Sequence, residues 1–176
     1  MIISYDFGIG LVEYGERGIE NEFPLLDECP NCHCPAHGNL HRNGYYWRYG
    51  ITNDVTLRIP ICRIKCLQCK VNISILPDFL LPYFQHTVHT VLDRVKHVLQ
   101  KKKAKGSRQL VSFYYKRYLK GINWIHSFFI DIGLVSEMSG NIIKEATKYM
   151  KMISDFGESP FLRRSQGHLS TYFMAN

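Results

Sequence analysis

The 176-residue sequence predicts an α+β protein in which a small strand-rich domain precedes a helical domain. Two Cys-x-x-Cys pairs, Cys29–Cys32 and Cys66–Cys69, bracket a stretch whose apolar residues alternate as in short antiparallel strands. After Pro82 the apolar spacing becomes that of an α-helix. The chain therefore divides into an acidic lead-in (residues 1–28), a cysteine-bounded domain (29–82), a helical domain (83–157) and a tail (158–176) that is expected to pack loosely.

The lead-in and the cysteine-bounded domain are expected to contain strands. Four glycines make residues 1–28 a poor helix interior, so a short strand or hairpin is predicted there. Beyond the lead-in, strands are predicted near Tyr45–Tyr49, which follows the turn signal Asn43-Gly44, and near Val55–Ile59 and Val71–Ile75. The aromatic residues of the first of these strands are expected in the core, with stacking on bases as the alternative: Tyr45, Tyr46 and Trp47.

Four helices are predicted in the helical domain. The first places Val88, Val91, Leu92, Val95 and Leu99 on one apolar face. The first helix is expected to continue to Gly106, with Lys101, Lys102, Lys103 and Lys105 at its C-terminal end. Ser107 is expected to cap a second helix that runs to Lys120. The two helices form a helix-turn-helix-like pair over residues 86–120, with helices near 124–132 and 142–153 after it.

Composition limits the classes of function. No apolar run approaches the roughly 18 residues that a membrane span needs, and the first residues do not resemble a secretory signal. The cytoplasm is therefore the expected location, and no membrane partner is expected. Residues 1–28 carry seven acids and one base, whereas residues 42–120 carry 16 bases and three acids. Such a cationic segment suits a polyanionic partner, although a solvated basic surface explains the bias equally well.

The cysteine pairs predict a metal site. Each Cys-x-x-Cys turn presents two thiolates, and two such turns complete a tetrahedron around one structural zinc ion, as in a zinc ribbon. The predicted ligands are Cys29, Cys32, Cys66 and Cys69. The 33 residues between the pairs exceed the commonest spacing, which a long hairpin would explain.

Several alternatives accompany this prediction. Disulfides are disfavoured in a reducing cytoplasm, and the βαβ pattern of a thioredoxin-like motif is missing. Iron–sulfur ligation by the same cysteines remains an alternative, as does replacement of one cysteine by a nearby histidine: His33, His37 or His41. Cys34 and Cys62 are interpreted as small buried residues.

The second predicted helix combines basic and polar residues with a cap. Arg108 and Gln109, at its N-terminus, are residue types that pair with guanine and adenine edges. An ordinary amphipathic helix with a basic solvated face is the competing interpretation. The third helix contains no Lys or Arg, so it is not expected to contact bases.

The motifs resemble a transposase-like zinc-ribbon family of uncharacterised bacterial proteins and N-terminal regions of insertion-sequence transposases. The similarity covers about residues 24–120, and its most specific element is Leu76-Pro-Asp-Phe-Leu-Leu-Pro-Tyr83. Family members usually carry Gly after the last cysteine, where this chain has Lys70. The resemblance implies DNA binding and association with mobile elements. The 56 residues after Lys120 are too few for the ribonuclease-H-like catalytic domain of such transposases.

These observations predict a non-catalytic DNA-binding protein, nucleoid-associated in a bacterial cell. A protein–protein adaptor whose ribbon docks on a transposase, recombinase or polymerase is the alternative, and an enzyme has little support. The target site and the oligomeric state do not follow from the sequence. The expected nucleic-acid contacts are Arg42, Arg48, Lys65, Lys101, Lys102, Lys103, Lys105, Arg108, Gln109, Lys116 and Lys120.

Overall fold

The computed structural model describes residues 1–175 and has an α+β architecture. A four-stranded mixed sheet has the order β1-β4-β3-β2, with β1 parallel to β4 and the other neighbours antiparallel. Its strands are β1 (Ile2–Tyr5), β2 (Leu40–Ile51), β3 (Thr56–Cys66) and β4 (Asn72–Pro77). Within residues 1–175 six α-helices occur: α1 (Leu11–Arg17), α2 (Val88–Leu99), α3 (Arg108–Lys120), α4 (Ile122–Asp131), α5 (Ile142–Phe156) and α6 (Glu158–Arg164).

The acidic lead-in is an integral part of the sheet domain. The predicted strand is present as β1, but the expectation that glycines would prevent a helix was wrong, because α1 forms across Gly15. A β-carbon on Gly15 would lie 3.1 Å from Leu57, so glycine allows α1 to approach β3 closely. Tyr14 and Leu11 are buried in the sheet core.

The long hairpin of β2 and β3 spans most of the distance between the cysteine pairs. Asn43 and Gly44 do not form the predicted turn; they interrupt the register as a bulge within β2, where Gly44 has φ 72°. The hairpin instead turns over residues 52–55. Central β3 is buried continuously from Ile59 to Cys62, which explains why its apolar residues lose simple alternation.

Helices α3, α4 and α5 begin and end close to the predicted residues, whereas α2 ends at Leu99, before the predicted Gly106. The side chain of Ser107 caps α3 by accepting from the backbone N–H of Leu110 (3.3 Å). The predicted apolar face of α2 is buried over Val88, Val91, Leu92 and Val95. This face packs with α3 to α6 in a second hydrophobic core, separate from the core of the sheet.

The loosely packed tail that was expected after residue 157 is not observed. Phe161 in α6 is fully buried, and Phe173 belongs to the helical core. The Tyr172 hydroxyl lies 2.9 Å from the backbone nitrogen of Ile2, from which it accepts, so both ends of the chain meet. Arg163 adds ion pairs to Asp6 (2.6 Å) and Asp78 (2.5 Å). Across residues 1–175, the helices are too short or too polar to span a bilayer.

Candidate metal centre and nucleic-acid interface

The two cysteine pairs meet at the end of the hairpin where β2 begins and β3 ends. The sulfur atoms of Cys29, Cys32, Cys66 and Cys69 all lie within 4.8 Å of one another. The Cys29–Cys69 sulfurs are 3.7 Å apart and the Cys32–Cys66 sulfurs 3.8 Å apart. A tetrahedral metal with bonds of about 2.3 Å to sulfur requires edges of about 3.8 Å. Four cysteines are therefore close enough, and suitably spaced, to hold one metal ion.

The backbone of each pair forms a tight turn. In the first, the N–H of His33 donates to the carbonyl of Cys29 (2.8 Å), and the N–H of Cys29 donates to the carbonyl of Cys34 (2.9 Å). In the second, the N–H of Cys66 donates to the carbonyl of Val71 (3.0 Å). These hydrogen bonds shape the two turns, so the fold brings the four thiols together.

Backbone donors favour the thiolate form in the second turn. The N–H of Cys69 bonds to the sulfur of Cys66, which lowers the pKa of that thiol to about 6. The N–H of Val71 similarly lowers the pKa of Cys69. For Cys32 the N–H of Cys34 favours the thiolate, but burial and the neighbouring thiols outweigh it and raise the pKa. The backbone therefore favours the thiolate form of Cys66 and Cys69, which is the form that binds a metal.

The histidines near the first turn lie outside the sulfur cluster. His33 faces Glu28, with Nδ1 3.0 Å from a carboxylate oxygen, and the ring of His41 is turned towards the carbonyl of Gly38 (3.4 Å). His37 is exposed and lines an apolar cavity. Geometry therefore favours four sulfur ligands over a histidine replacement.

The two spare cysteines differ in their surroundings. Cys62 is fully buried in β3, as predicted, and burial raises its pKa. Cys34 departs from the prediction, because its sulfur lies 3.4 Å from that of Cys32 and 3.6 Å from that of Cys66. Its spacing of two residues after Cys32 gave no sign of this contact, which depends on the left-handed conformation of His33 (φ 56°).

Most of the basic residues expected to contact DNA are exposed around α3. Lys101, Lys102, Lys103 and Lys105 lie in the connection between α2 and α3, not at the C-terminal end of α2 as predicted. Lys101 adopts φ 57° and ends α2, with the N–H of Lys102 donating to the carbonyl of His97 (2.8 Å). The remaining exposed members of this group are Arg108, Gln109, Lys116 and Lys120.

Arg48 is engaged within the fold rather than free for DNA. Its guanidinium donates to the backbone carbonyls of Leu81 and Phe84, and burial lowers its pKa. Arg48 therefore fastens β2 to the segment that leads into α2, and we withdraw it from the predicted contacts.

The other two predicted contacts in the sheet domain lie near the cysteines. Arg42 is exposed and donates to the hydroxyl of Tyr45 (3.3 Å), whereas Lys65 is half-buried in β3. Among the aromatic residues of β2, Tyr45 and Tyr46 pack against the sheet core as expected. Trp47 does not, because its side chain is about half exposed, with Arg58 lying 5.8 Å from its ring centre.

A polar contact in the helical core was not anticipated from the sequence. The hydroxyl of Ser127 lies 2.7 Å from Nε2 of His168, whose Nδ1 lies 3.2 Å from Asp131. This order of groups resembles a Ser-His-Asp triad. However, the Ser127 hydroxyl donates to the Trp124 carbonyl (3.0 Å), and Ser127 lies inside α4, where backbone N–H groups are bonded to the preceding turn. Because these N–H groups are already bonded, they are not free to stabilise an oxyanion. We therefore interpret the contact as a structural hydrogen bond within the helical domain.

Comparison with known proteins adds one result. No curated protein and no solved structure matches the chain significantly. Residues 29–112, which include both cysteine turns, the hairpin, α2 and the start of α3, match a family model described as a domain of unknown function (DUF6431). That description assigns no activity, so it neither supports nor opposes the resemblance to transposase-like proteins. The cysteine-bounded domain and the start of the helical region are thus similar to one recurring unit.

Proposed function

We propose that this chain is a non-catalytic DNA-binding protein whose cysteine centre holds one structural zinc ion. The observation that carries the proposal is the charge of the helical region. From Arg94 to Ile130 the sequence contains ten Lys and Arg residues and no Asp or Glu. Most of these cations are exposed around a single helix connection. Cations concentrated in this way displace the counterions of phosphate, which is the main source of nonspecific DNA affinity.

Zinc is the metal that fits the cysteine centre best. Four sulfur ligands at tetrahedral spacing are typical of zinc or of an iron–sulfur protein. With four thiolates the coordination of zinc is complete, so no metal-bound water is left to activate. The metal would join the two turns at the end of the hairpin where β2 begins and β3 ends.

Helix α3 offers a continuous surface for a duplex. Gln109, Phe113, Lys116 and Lys120 are all exposed and follow one another at helical spacing of three or four residues. Arg108 flanks this stripe at the N-terminus of the helix. Amide, guanidinium and apolar side chains on one helix face can bond to base edges and contact thymine methyl groups in a major groove.

The helix pair differs from a standard helix-turn-helix motif. Its connection comprises residues 100–107, eight residues, instead of the three or four that are usual. The additional residues carry the lysine cluster, and Lys105 approaches Asp54 at the hairpin turn (3.9 Å). We therefore propose that the connection contacts phosphates while α3 faces the groove.

The predicted DNA-contacting cations form two separate groups, one around α3 and one near the cysteines. The hairpin turn lies against the helices, because the N–H of Thr87 donates to the carbonyl of Ile51 (2.9 Å). Arg42 lies nine residues earlier in β2, about 30 Å away along an extended strand. This is close to one turn of duplex DNA, about 34 Å. Arg42 and Lys65 would reach the same duplex only if it ran along the hairpin, so α3 and its preceding connection form the primary surface.

A binding measurement tests the proposal directly. Fluorescence anisotropy of a labelled random duplex should show binding at about 50 mM salt that weakens steeply towards 200 mM, as counterion release requires. Absence of binding at the lower salt concentration would overturn it. The mobile-element association rests on the resemblance alone, and neighbouring transposase or integrase genes would support it.

An adaptor function is the second candidate, and one feature of the sheet domain favours it. An apolar cavity of about 580 Å³ lies beside the cysteine end of the sheet, lined by Phe23, Leu26, Leu40 and Ile64 among others. Leu25, at its edge, is 93% exposed. An exposed leucine beside an apolar cavity is a feature of protein-docking surfaces. Capture of a transposase, recombinase or polymerase subunit from nuclease-treated lysate, lost in Leu25→Ser, would favour this function.

A further inference from the structure

Cys34 contacts the cysteine centre without belonging to its four-sulfur group. Its sulfur lies 3.4 Å from that of Cys32 and 3.6 Å from that of Cys66, both of which are proposed metal ligands. Cys34, like Cys32, is half-buried, whereas Cys66 is fully buried. Five of the six cysteines are thus gathered at one end of the sheet, one more than a tetrahedral metal can use.

The backbone fixes the position of this fifth thiol. The carbonyl of Cys34 accepts from the N–H of Cys29 (2.9 Å), and residues Glu28 and Pro35 pair as an isolated β-bridge on either side of the turn. The turn therefore closes at Cys34, and its side chain is held against the sulfur atoms. A substitution at Cys34 leaves all four proposed ligands in place.

We propose that Cys34 is an oxidation site, at which a peroxide forms a disulfide between Cys34 and one of the ligand thiols that it contacts, Cys32 or Cys66. The inference rests on the proposed metal centre. A ligand thiolate attacks the peroxide and cleaves its O–O bond, giving a sulfenic acid and hydroxide. The Cys34 thiol then attacks that sulfur, forming the S–S bond and releasing water. In total, one thiolate and one thiol become a disulfide, and hydrogen peroxide is reduced to one water and one hydroxide, which takes up a proton from solvent to give a second water.

Loss of one ligand changes the metal centre. A sulfur in a disulfide is no longer a thiolate, so only three thiolate ligands remain and the affinity for the metal falls, which allows a chelator to remove it. Binding of a structural metal is coupled to folding, so the two cysteine turns should lose their order at the same step. Cys34 supplies a resolving thiol that is not itself a metal ligand, whereas a centre with four cysteines alone must join two of its ligands to each other.

The test uses the full chain, loaded with zinc and treated with hydrogen peroxide. A chromophoric chelator follows zinc release, and peptide mapping by mass spectrometry identifies the disulfide. Release should be slower by roughly ten-fold or more in Cys34→Ser, because the oriented thiol that is not engaged by the metal has been removed. Cys62→Ser, which changes a buried thiol outside the cluster, should release zinc at the original rate. Both variants must first show full zinc content and an unchanged near-ultraviolet circular dichroism spectrum. If Cys34→Ser fails either check, Cys34→Ala takes its place.

The outcomes separate this inference from the proposed metal centre. A disulfide that includes Cys34 and that dithiothreitol reverses supports the inference. The inference is overturned if zinc is released at equal rates from the wild type and Cys34→Ser, or if the mapped disulfides do not include Cys34. Either result leaves the assignment of the zinc centre unaffected. Protein that contains no zinc before oxidation overturns both.

Discussion

The phenol of Tyr14 donates a 2.8 Å hydrogen bond to the backbone carbonyl of Pro60 and so joins the acidic N-terminal segment to the central strand. Both residues are buried, and burial raises the pKa of Tyr14. The N-terminal segment is therefore part of the sheet core. Its ion pairs within the chain involve Arg17, His33 and Arg163, not the cations around α3. The described ion pairs of the lead-in therefore do not neutralise the basic residues around α3.

The first prediction concerns this hydrogen bond. Tyr14→Phe leaves the Pro60 carbonyl buried without a donor, which should lower the free energy of unfolding by about 1–3 kcal/mol in urea titrations. Tyr83→Phe is the matched control, because Tyr83 is 73% exposed, and it should change stability by less than about 0.5 kcal/mol. Equal effects from both variants would contradict the structural role of Tyr14.

A second prediction concerns the residue after the last cysteine. Lys70 has φ 62°, a conformation that costs a residue with a β-carbon roughly 1–2 kcal/mol. Glycine has no β-carbon and adopts this conformation without that cost. Lys70→Gly should stabilise the metal-loaded protein by about 1 kcal/mol, because the strain that is relieved exceeds the conformational entropy that glycine adds to the unfolded chain. The midpoint of thermal unfolding should rise accordingly. Lys70→Ala removes the same charge but keeps the β-carbon, so it should give no such gain.

The cysteine turns and the helix caps could be predicted from the sequence because they are local. Cys-x-x-Cys spacing fixes two thiols within one turn, and Ser107 caps the first turn of its own helix. The position of Cys34 could not be predicted, since its contact with Cys66 depends on how two distant turns face each other. Arg48 was assigned to DNA on charge alone, and its burial against two carbonyls depends on the packing of the hairpin on residues 81–84. Local pattern and charge carry no information on such tertiary contacts.

The third prediction concerns the metal. Purified protein should contain about one zinc per chain, bound at roughly 2.3 Å from sulfur by X-ray absorption. Cys66→Ser should abolish stoichiometric zinc and disorder the two turns, because structural zinc binding supplies on the order of 10 kcal/mol of folding free energy. Cys62→Ser should retain zinc. Elemental analysis that finds full zinc in Cys66→Ser would refute the ligand assignment.

Arg48 and Arg108 make a matched pair for the fourth prediction. Arg48→Ala removes hydrogen bonds from a charged donor to two carbonyls, so it should lower the free energy of unfolding by about 1.5–3 kcal/mol. Arg108 is exposed at the start of α3, so Arg108→Ala should leave stability nearly unchanged. On a selected duplex it should weaken binding by about 1–3 kcal/mol, with little effect on random DNA. If Arg48→Ala weakened DNA binding and Arg108→Ala did not, the DNA contact would lie in the hairpin.

The last prediction tests the lysine cluster in the connection between α2 and α3. Replacing Lys101, Lys102 and Lys103 by Ala removes three exposed cations that the proposal places on phosphates. Because each phosphate contact contributes about −0.9 to the slope of log affinity against log salt, the slope should flatten by up to about 2.7. Affinity for all duplexes should fall alike, since phosphate contacts do not distinguish sequences.

The control for that variant must change the net charge equally at another surface. Lys70, Lys144 and Lys151 are exposed and lie outside the α2–α3 connection and α3, so their joint replacement by Ala provides it. If DNA were attracted only by the overall charge of +7, the two triple variants would lose affinity equally. The proposed interface requires the cluster variant alone to flatten the salt dependence. Anisotropy titrations from about 50 to 200 mM salt measure both slopes, and equal slopes would remove the assignment of this surface to DNA.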